Sequence, residues 1–464
     1  MDRLLAALFV LGLSGLAYAY GVASAKFRLF PYEFVNRGWV AAQALYEAQS
    51  DDGVPGMLAF EATGRDFPTP ASDGGDADAD LILMTGGAGT LMDYCPELGC
   101  LAWLMDRQGA IYHAWPIDPE EPWGQIERVS GDTQVESFYP TSLHVYDNGD
   151  LLVSYHGRNT FPYGVGLAKF DKNGALLWKK ENFSHHKFHV GPEGVIYTPA
   201  HKIIDSSVLK LANTNQQMEC EDGKFYDDVI YVLDHEGVVI DEISILQALF
   251  ESGYAGLVRM TDDKCDPIHL NDVRALSAMD APEYSRLAPG DLLVSLRNIS
   301  TLAVIDPVIE RVKWLVSGVT IRQHSPRYIG NDQILVFDNL GGRADQGGSR
   351  LVKLDLTSGA VETVFPLAES PHLDFFTDLS GYFDLNPRRS RALVALTMQG
   401  RILELDLESR QVLWEFENTH DVESYLEGKG ETPEESYATF GVSAAYYAGR
   451  PSFLLAEVAE RRGG

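Results

Sequence analysis

Positive charge is scarce in this chain. Its 464 residues carry 37 Lys and Arg against 67 Asp and Glu, a net charge of −30. A surface of that sign repels nucleic acid and anionic headgroups, so no nucleic-acid partner is expected. Cysteine is scarce too: there are four, and no two stand as Cys-x-x-Cys. That argues against a cysteine-based zinc site. The acidic run at Asp76, Asp78 and Asp80 has Leu81 and Gly87 where a calcium loop needs Gly and Glu, so it reads as a solvated loop. After residue 25 no second apolar run is long enough to span a bilayer.

The N-terminus is different. Leu4 to Ala25 is a 22-residue stretch without a charged side chain, preceded by Arg3. It is long enough to span a bilayer. It also contains Ala17-Tyr18-Ala19 and Ala23-Ser24-Ala25, both of the small-x-small type at which signal peptides are cleaved. Residues 1–25 are therefore expected to be a membrane-spanning anchor or a cleaved signal peptide. Either sends the remaining chain to the extracytoplasmic side, and an uncleaved helix would tether it to the membrane. The cysteines agree with export. Cys95 pairing with Cys100, and Cys220 with Cys265, is the simplest arrangement in an oxidising compartment, with four free thiols as the alternative. Within residues 26–50, Val35, Trp39, Ala42, Leu45 and Tyr46 have helical spacing, which suggests a short amphipathic helix. An Asp-, Gly- and Pro-rich linker follows to residue 80.

From residue 81 the chain repeats. An apolar run ends in Asp, a short turn follows, and a second apolar run begins. The turn Asp is Asp106, Asp171, Asp234, Asp306, Asp355 and Asp406, at intervals of 49 to 72 residues. Asp suits such a turn because its carboxylate accepts bonds from nearby backbone N–H groups. Two further strand-like runs precede each copy, and GDLLVS occurs twice, at Gly149–Ser154 and Gly290–Ser295. Short strands in six units predict an all-β, six-bladed propeller over residues 81–464. The first unit is short of a strand, so the C-terminal run is expected to complete it and close the ring. A two-sheet sandwich would not explain six similar turns.

Histidines head three successive units: His186, His269 and His324. The innermost strand of a propeller blade lines the central channel, so these imidazoles are expected to meet at one mouth. There they offer a nucleophile and proton-transfer groups that work near neutral pH. His185 could be the inward residue instead of His186. Arg297 follows a buried-type strand in the middle one of these units, and its guanidinium would bind a tetrahedral oxyanion. Blade two offers His156 and Arg158 at the matching place.

These motifs resemble the arylsulfotransferase family over roughly residues 80–456. The resemblance rests on His185-His186 before a Gly-Pro-Glu-Gly turn, His269-Leu270-Asn271-Asp272-Val273, Ser295-Leu296-Arg297-Asn298, and Gln323-His324 followed by Phe337-Asp338-Asn339. It implies a six-bladed propeller that moves a sulfuryl group from an aryl sulfate to a phenol without the usual nucleotide donor. It implies a covalent sulfo-histidine on His324, with His186, His269 and Arg297 stabilising the sulfuryl oxygens or the leaving phenolate. His185, Lys187, Asn271, Asn298 and Asn339 are expected to line the substrate. No metal and no cofactor is expected. The family usually has Asp directly after the histidine in two of these motifs, where this chain has Lys187 and Ser325. Two other readings use the same funnel: a non-catalytic propeller that binds a ligand or partner protein, and a histidine–metal enzyme.

Overall fold

The computed structural model describes residues 2–27, 30, 81–87, 95, 100–118, 120–205, 223–261, 263–370, 374–423, 427 and 437–454. The expected amphipathic helix, the linker and Cys220 fall outside these residues. A helix, Asp2–Phe27, covers the apolar N-terminal stretch. Among the described residues no helix is long and apolar enough to cross a membrane. The membrane-spanning expectation for residues 4–25 therefore finds no support in the fold.

The rest of the described chain is built on six four-stranded antiparallel sheets, with two two-stranded ribbons beside them. Five are sequential: blade 2 from Phe138–Val145 outward, blade 3 from His189–Val190, blade 4 from Leu270–Ala275, blade 5 from His324–Gly330 and blade 6 from Tyr382–Leu385. Blade 1 has its innermost strand, Val442–Gly449, from the C-terminal part of the chain, paired with Leu81–Gly86. The ring thus closes as the short first unit predicts.

Burial follows position in the blade. The second strands, Leu151–Gly157 in blade 2 and Leu292–Leu296 in blade 4, are buried along their whole length. Both faces meet neighbouring blades, so these strands read as continuous apolar runs. Outer strands such as Arg311–Ser317 have only exposed and half-buried positions. Each blade-to-blade seam holds an apolar cluster. Trp115 and Tyr155 pack between blades 1 and 2, Val273 and Ile230 between blades 4 and 3, and Trp103 and Leu393 between blades 1 and 6.

Every turn Asp joins the third strand of its blade to the outermost one. Its carboxylate accepts from two backbone N–H groups: Gln108 and Ala110 for Asp106, Asn173 and Ala175 for Asp171, Glu236 and Val238 for Asp234. Asp306, Asp355 and Asp406 do the same. The bonds from Ser358 and Thr357 hold the Asp355 carboxyl well below the usual carboxylate range. A depressed carboxyl contributes stability that is complete above the unfolded-state value of about 3.9 and is lost as pH falls through the lower folded-state value. Asp355→Asn should therefore weaken the acid-side loss of stability, as read by urea midpoints measured from neutral pH downward.

One disulfide, Cys95–Cys100, has a Cα–Cα separation of 5.2 Å. Cys265 is also disulfide-bonded.

Candidate active site

The three head histidines sit where the chain enters the innermost strands of blades 3, 4 and 5. His269 directly precedes Leu270–Ala275, and His324 opens His324–Gly330. In blade 3 the innermost strand shrinks to His189–Val190, and the segment before it is held by the His185 N–H bond to the Pro199 carbonyl. A left-handed residue marks each entry: His186 (φ 52°), His269 (φ 54°) and Ser325 (φ 52°). This conformation is uncommon outside glycine and places the side chain off the regular strand direction. By that marker His324 stands one place before the position of the other two histidines and shares its place with His185.

All three imidazoles are held in the same way. His186 Nδ1 lies 2.8 Å from His185 Nδ1. His269 Nδ1 lies 2.6 Å from the Asp266 carboxylate and 3.3 Å from the Tyr163 hydroxyl. His324 Nδ1 lies 2.7 Å from Asn339 Oδ1. Among the described residues no protein group bonds any of the three Nε2 atoms, so each ring is anchored by Nδ1 and offers Nε2. The His186 and His269 rings are 4.9 Å apart. His324 is close enough to His186, His269 and Arg297 for their charges to interact.

The Asn339 contact decides a tautomer. Its Nδ2 donates to the Thr377 and Ser380 carbonyls at 2.8 Å each, so its Oδ1 must face His324. An amide oxygen only accepts, so His324 Nδ1 carries the ring proton and Nε2 keeps its lone pair. Burial, partly opposed by the Asn339 bond, pushes the His324 imidazole down to about 3. The ring is therefore neutral at physiological pH. Burial also pushes His185 to about 3, and puts His156, His186 and His201 well below the ordinary value.

His269 differs through its partner. Burial would raise the Asp266 carboxyl, but the imidazole beside it brings it below the usual value. The carboxylate engages Nδ1 and, among the described residues, leaves Nε2 without a protein partner.

Arg297 lies beside this group, at the end of a blade 4 strand. Its Nη1 bonds Asn298 Oδ1 at 3.0 Å, and among the described residues no carboxylate pairs with it. It is a nearly buried cation with donors to spare, suited to an oxyanion.

The five side chains expected to line the substrate are mostly spent on protein partners. Lys187 Nζ bonds the carbonyls of Thr141 and Ser443 and sits 4.7 Å from the centre of the Tyr382 ring. It ties together the innermost strands of blades 1, 2 and 6, and burial lowers its pKa to about 7. Asn298 Nδ2 donates to the Asp266 carbonyl at 2.7 Å, and Asn271 Nδ2 to the Gln323 carbonyl at 3.0 Å. Asn339 orients His324, and His185 orients His186. All five, buried or nearly so, hold the reactive rings and their loops in place.

Sequence reasoning missed Asp266, Tyr163, His201 and Asp228. Asp266 stands three residues before His269, in the segment that leads into the blade 4 strand. His201 shows no register with the other histidines because it lies on a second strand, opposite Asp228. His156, already noted in blade 2, accepts the His186 N–H through Nε2 at 2.9 Å. Gly164 clears the space behind these rings: a Cβ there would lie 3.1 Å from His185 Cβ and 2.6 Å from the Phe183 carbonyl oxygen.

A family model described as arylsulfotransferase (ASST) matches residues 143–419, which span blades 2 to 6. A sequence comparison with curated proteins finds no match. Among solved structures, the chain is similar to a protein of unknown function from Bacteroides caccae, at 13% identity and a TM-score of 0.43, covering 73% of this chain and 94% of that one. It is also similar to virginiamycin B lyase from Staphylococcus aureus, at 9% identity and a TM-score of 0.33, covering 60% of this chain and 69% of that one. Neither likeness bears on the chemistry.

Proposed function

The chain belongs to the arylsulfotransferase family, and from that premise we propose that it transfers a sulfuryl group from an aryl sulfate to a phenol through a sulfo-histidine on His324. The observation that carries this reading is the His324–Asn339 bond, which fixes a neutral imidazole with its Nε2 lone pair free. It supplies the orientation that an Asp after the histidine would give, so Ser325 at that position does not disable the nucleophile.

His324 Nε2 attacks sulfur in line, and the bond from sulfur to the aryl oxygen breaks. The leaving oxygen takes a proton from His269 Nε2, on the ring whose Nδ1 is held by the Asp266 carboxylate. The phenol departs and neutral His269 remains. An acceptor phenol then gives its proton to His269 and attacks sulfur, and the sulfur–nitrogen bond breaks. Both histidines return to their starting forms, giving ping-pong kinetics. Arg297 and the His186 Nε2 edge face the equatorial oxygens, where charge on the transferring group is stabilised.

Incubation with p-nitrophenyl sulfate and a phenol tests the reading. Nitrophenolate should appear and the sulfated acceptor should form in equal amount. A folded protein that releases none across a panel of aryl sulfates would leave a binding propeller as the better account. Arg297→Gln should lower kcat by about 10²-fold with a smaller change in KM, the pattern of a donor used mainly in the transition state.

We also propose that the propeller works on the extracytoplasmic side. Support comes from the Cys95–Cys100 disulfide, the bonded state of Cys265, and the uncharged N-terminal stretch with its two small-x-small sites.

A further inference from the structure

Behind His186 lies a second layer of side chains that the reaction does not touch. His185, His201 and Asp228 are fully buried, at 0%, 1% and 0% exposure. His201 and Asp228 face each other directly across the second and third strands of blade 3. His185 closes the group from the blade entrance. Asp228 Oδ1 lies 3.6 Å from His185 Nε2 and 3.7 Å from His201 Nε2.

These separations are too long for hydrogen bonds. Among the described residues, His185 Nε2, both ring nitrogens of His201 and Asp228 Oδ1 have no protein hydrogen-bond partner. Buried polar atoms are almost always paired, and three of these orphans, His185 Nε2, His201 Nε2 and Asp228 Oδ1, lie close enough together to share a ligand. The donor atoms all lie within 4.8 Å of one another. A tetrahedral ion with bonds of about 2.0–2.1 Å sets its ligands about 3.4 Å apart, close to the separations of Asp228 Oδ1 from the two imidazole nitrogens, 3.6 and 3.7 Å. Two imidazoles and a carboxylate are a donor set for Zn²⁺ and its near relatives.

We infer that His185 Nε2, His201 Nε2 and Asp228 Oδ1 form a binding site for one divalent cation of the zinc class. The ion sits behind the sulfuryl-transfer site and does not touch the substrate. The surrounding contacts fit ligand roles. Asp228 Oδ2 accepts the Leu270 N–H at 3.0 Å, which fixes the carboxylate. The His201 ring stacks on Tyr226 and meets the edge of Tyr163, with ring centres 4.2 and 4.4 Å apart. A competing trio, His156, His185 and His186, also lies within ligand distance. It fits less well, because His156 Nε2 already accepts the His186 N–H and His186 Nδ1 already bonds His185.

The ion has one consequence for the reaction, and this part rests on the sulfuryl-transfer reading. A metal on His185 Nε2 leaves the ring proton on Nδ1, which then donates to His186 Nδ1. His186 must carry its own proton on Nε2, facing the site as a donor. The ion thus sets the His186 tautomer, because a ligand histidine donates its other ring N–H to its partner.

The test uses the full chain, stripped with EDTA and titrated with Zn²⁺ alone in a calorimeter, with no aryl sulfate present. One Zn²⁺ per chain is expected. His201→Gln and Asp228→Asn should each weaken binding by at least about 100-fold, while His235→Gln, on the surface, should not. No uptake by the wild type, unchanged uptake in both variants, or loss in His156→Gln with retention in His201→Gln would each overturn the assignment. If the variants do not fold, Co²⁺ in the wild type decides: intense visible bands of a tetrahedral site support it, and a pale octahedral spectrum overturns it. Zn²⁺ uptake and nitrophenolate release are read separately, so failure of one leaves the other standing.

Discussion

His324→Asn should reduce turnover of an aryl sulfate by at least about 10⁴-fold, the scale on which covalent nucleophiles are lost. Both half-reactions need the same nitrogen, so no change of donor or acceptor should restore the rate. Folding should survive. The imidazole is buried, but among the described residues its one side-chain bond runs to Asn339 Oδ1, and an unpaired buried acceptor costs roughly 1–3 kcal/mol. A thermal melt of the variant should therefore keep one cooperative transition at a modestly lower temperature. Residual turnover near the wild-type rate, or collapse of the fold, would mark His324 as structural. The pH profile is a companion reading. With the ring held down to about 3, the lone pair is lost only as pH falls through that value. The acid limb of kcat should therefore show no nucleophile ionisation near the ordinary histidine value of about 6.5.

Asn339→Leu is expected to cost about 10³-fold in kcat while His324 itself is untouched. Leucine is near in size but cannot accept the Nδ1 proton, so the proton is free to move to Nε2 and block the attacking lone pair. The precedent for magnitude is the loss of about 10⁴-fold when a catalytic histidine is held in the wrong tautomer. A positioning role separates from a structural one by the kinetic split. KM for the aryl sulfate should stay within a few-fold, because the substrate does not bond Asn339 in this account. The variant also leaves the Thr377 and Ser380 carbonyls without their amide donor, so some stability is lost. Asn339→Ala with wild-type kcat would sink the tautomer argument.

Much of the scaffold was legible because its signals are local. Each turn Asp reads its own two N–H groups a few residues on, as at Asp171 with Asn173 and Ala175. Ring closure was legible from a missing strand, supplied by Val442–Gly449. The head histidines were legible as a recurrence, but not their exact alignment. Ser325 takes the left-handed place that His186 and His269 take, which shifts His324 by one.

The groups that make the rings reactive were harder to read. Asn339 comes from the end of the neighbouring strand, and its two backbone acceptors come from the approach to blade 6, so its role depends on three segments meeting. Lys187 is expected from the sequence to line the substrate. Its amine instead reaches the Ser443 carbonyl, a contact that exists only once the last strand closes blade 1. His201 and Asp228 meet because of strand register, which side-chain patterns do not reveal in a hairpin of two long strands. Nothing in the spacing of 185, 201 and 228 marks them as neighbours.

The central claim is that His324 Nε2 carries the sulfuryl group between donor and acceptor. Protein mixed with p-nitrophenyl sulfate in the absence of a phenol, quenched in alkali to spare an acid-labile sulfur–nitrogen bond, and mapped by mass spectrometry tests it most directly. The account predicts one SO₃ on the peptide containing His324, with a burst of nitrophenolate equal to the enzyme present. It predicts neither in His324→Asn. A burst with no SO₃ bound to the protein, or SO₃ on another residue with His324→Asn still labelled, would contradict it.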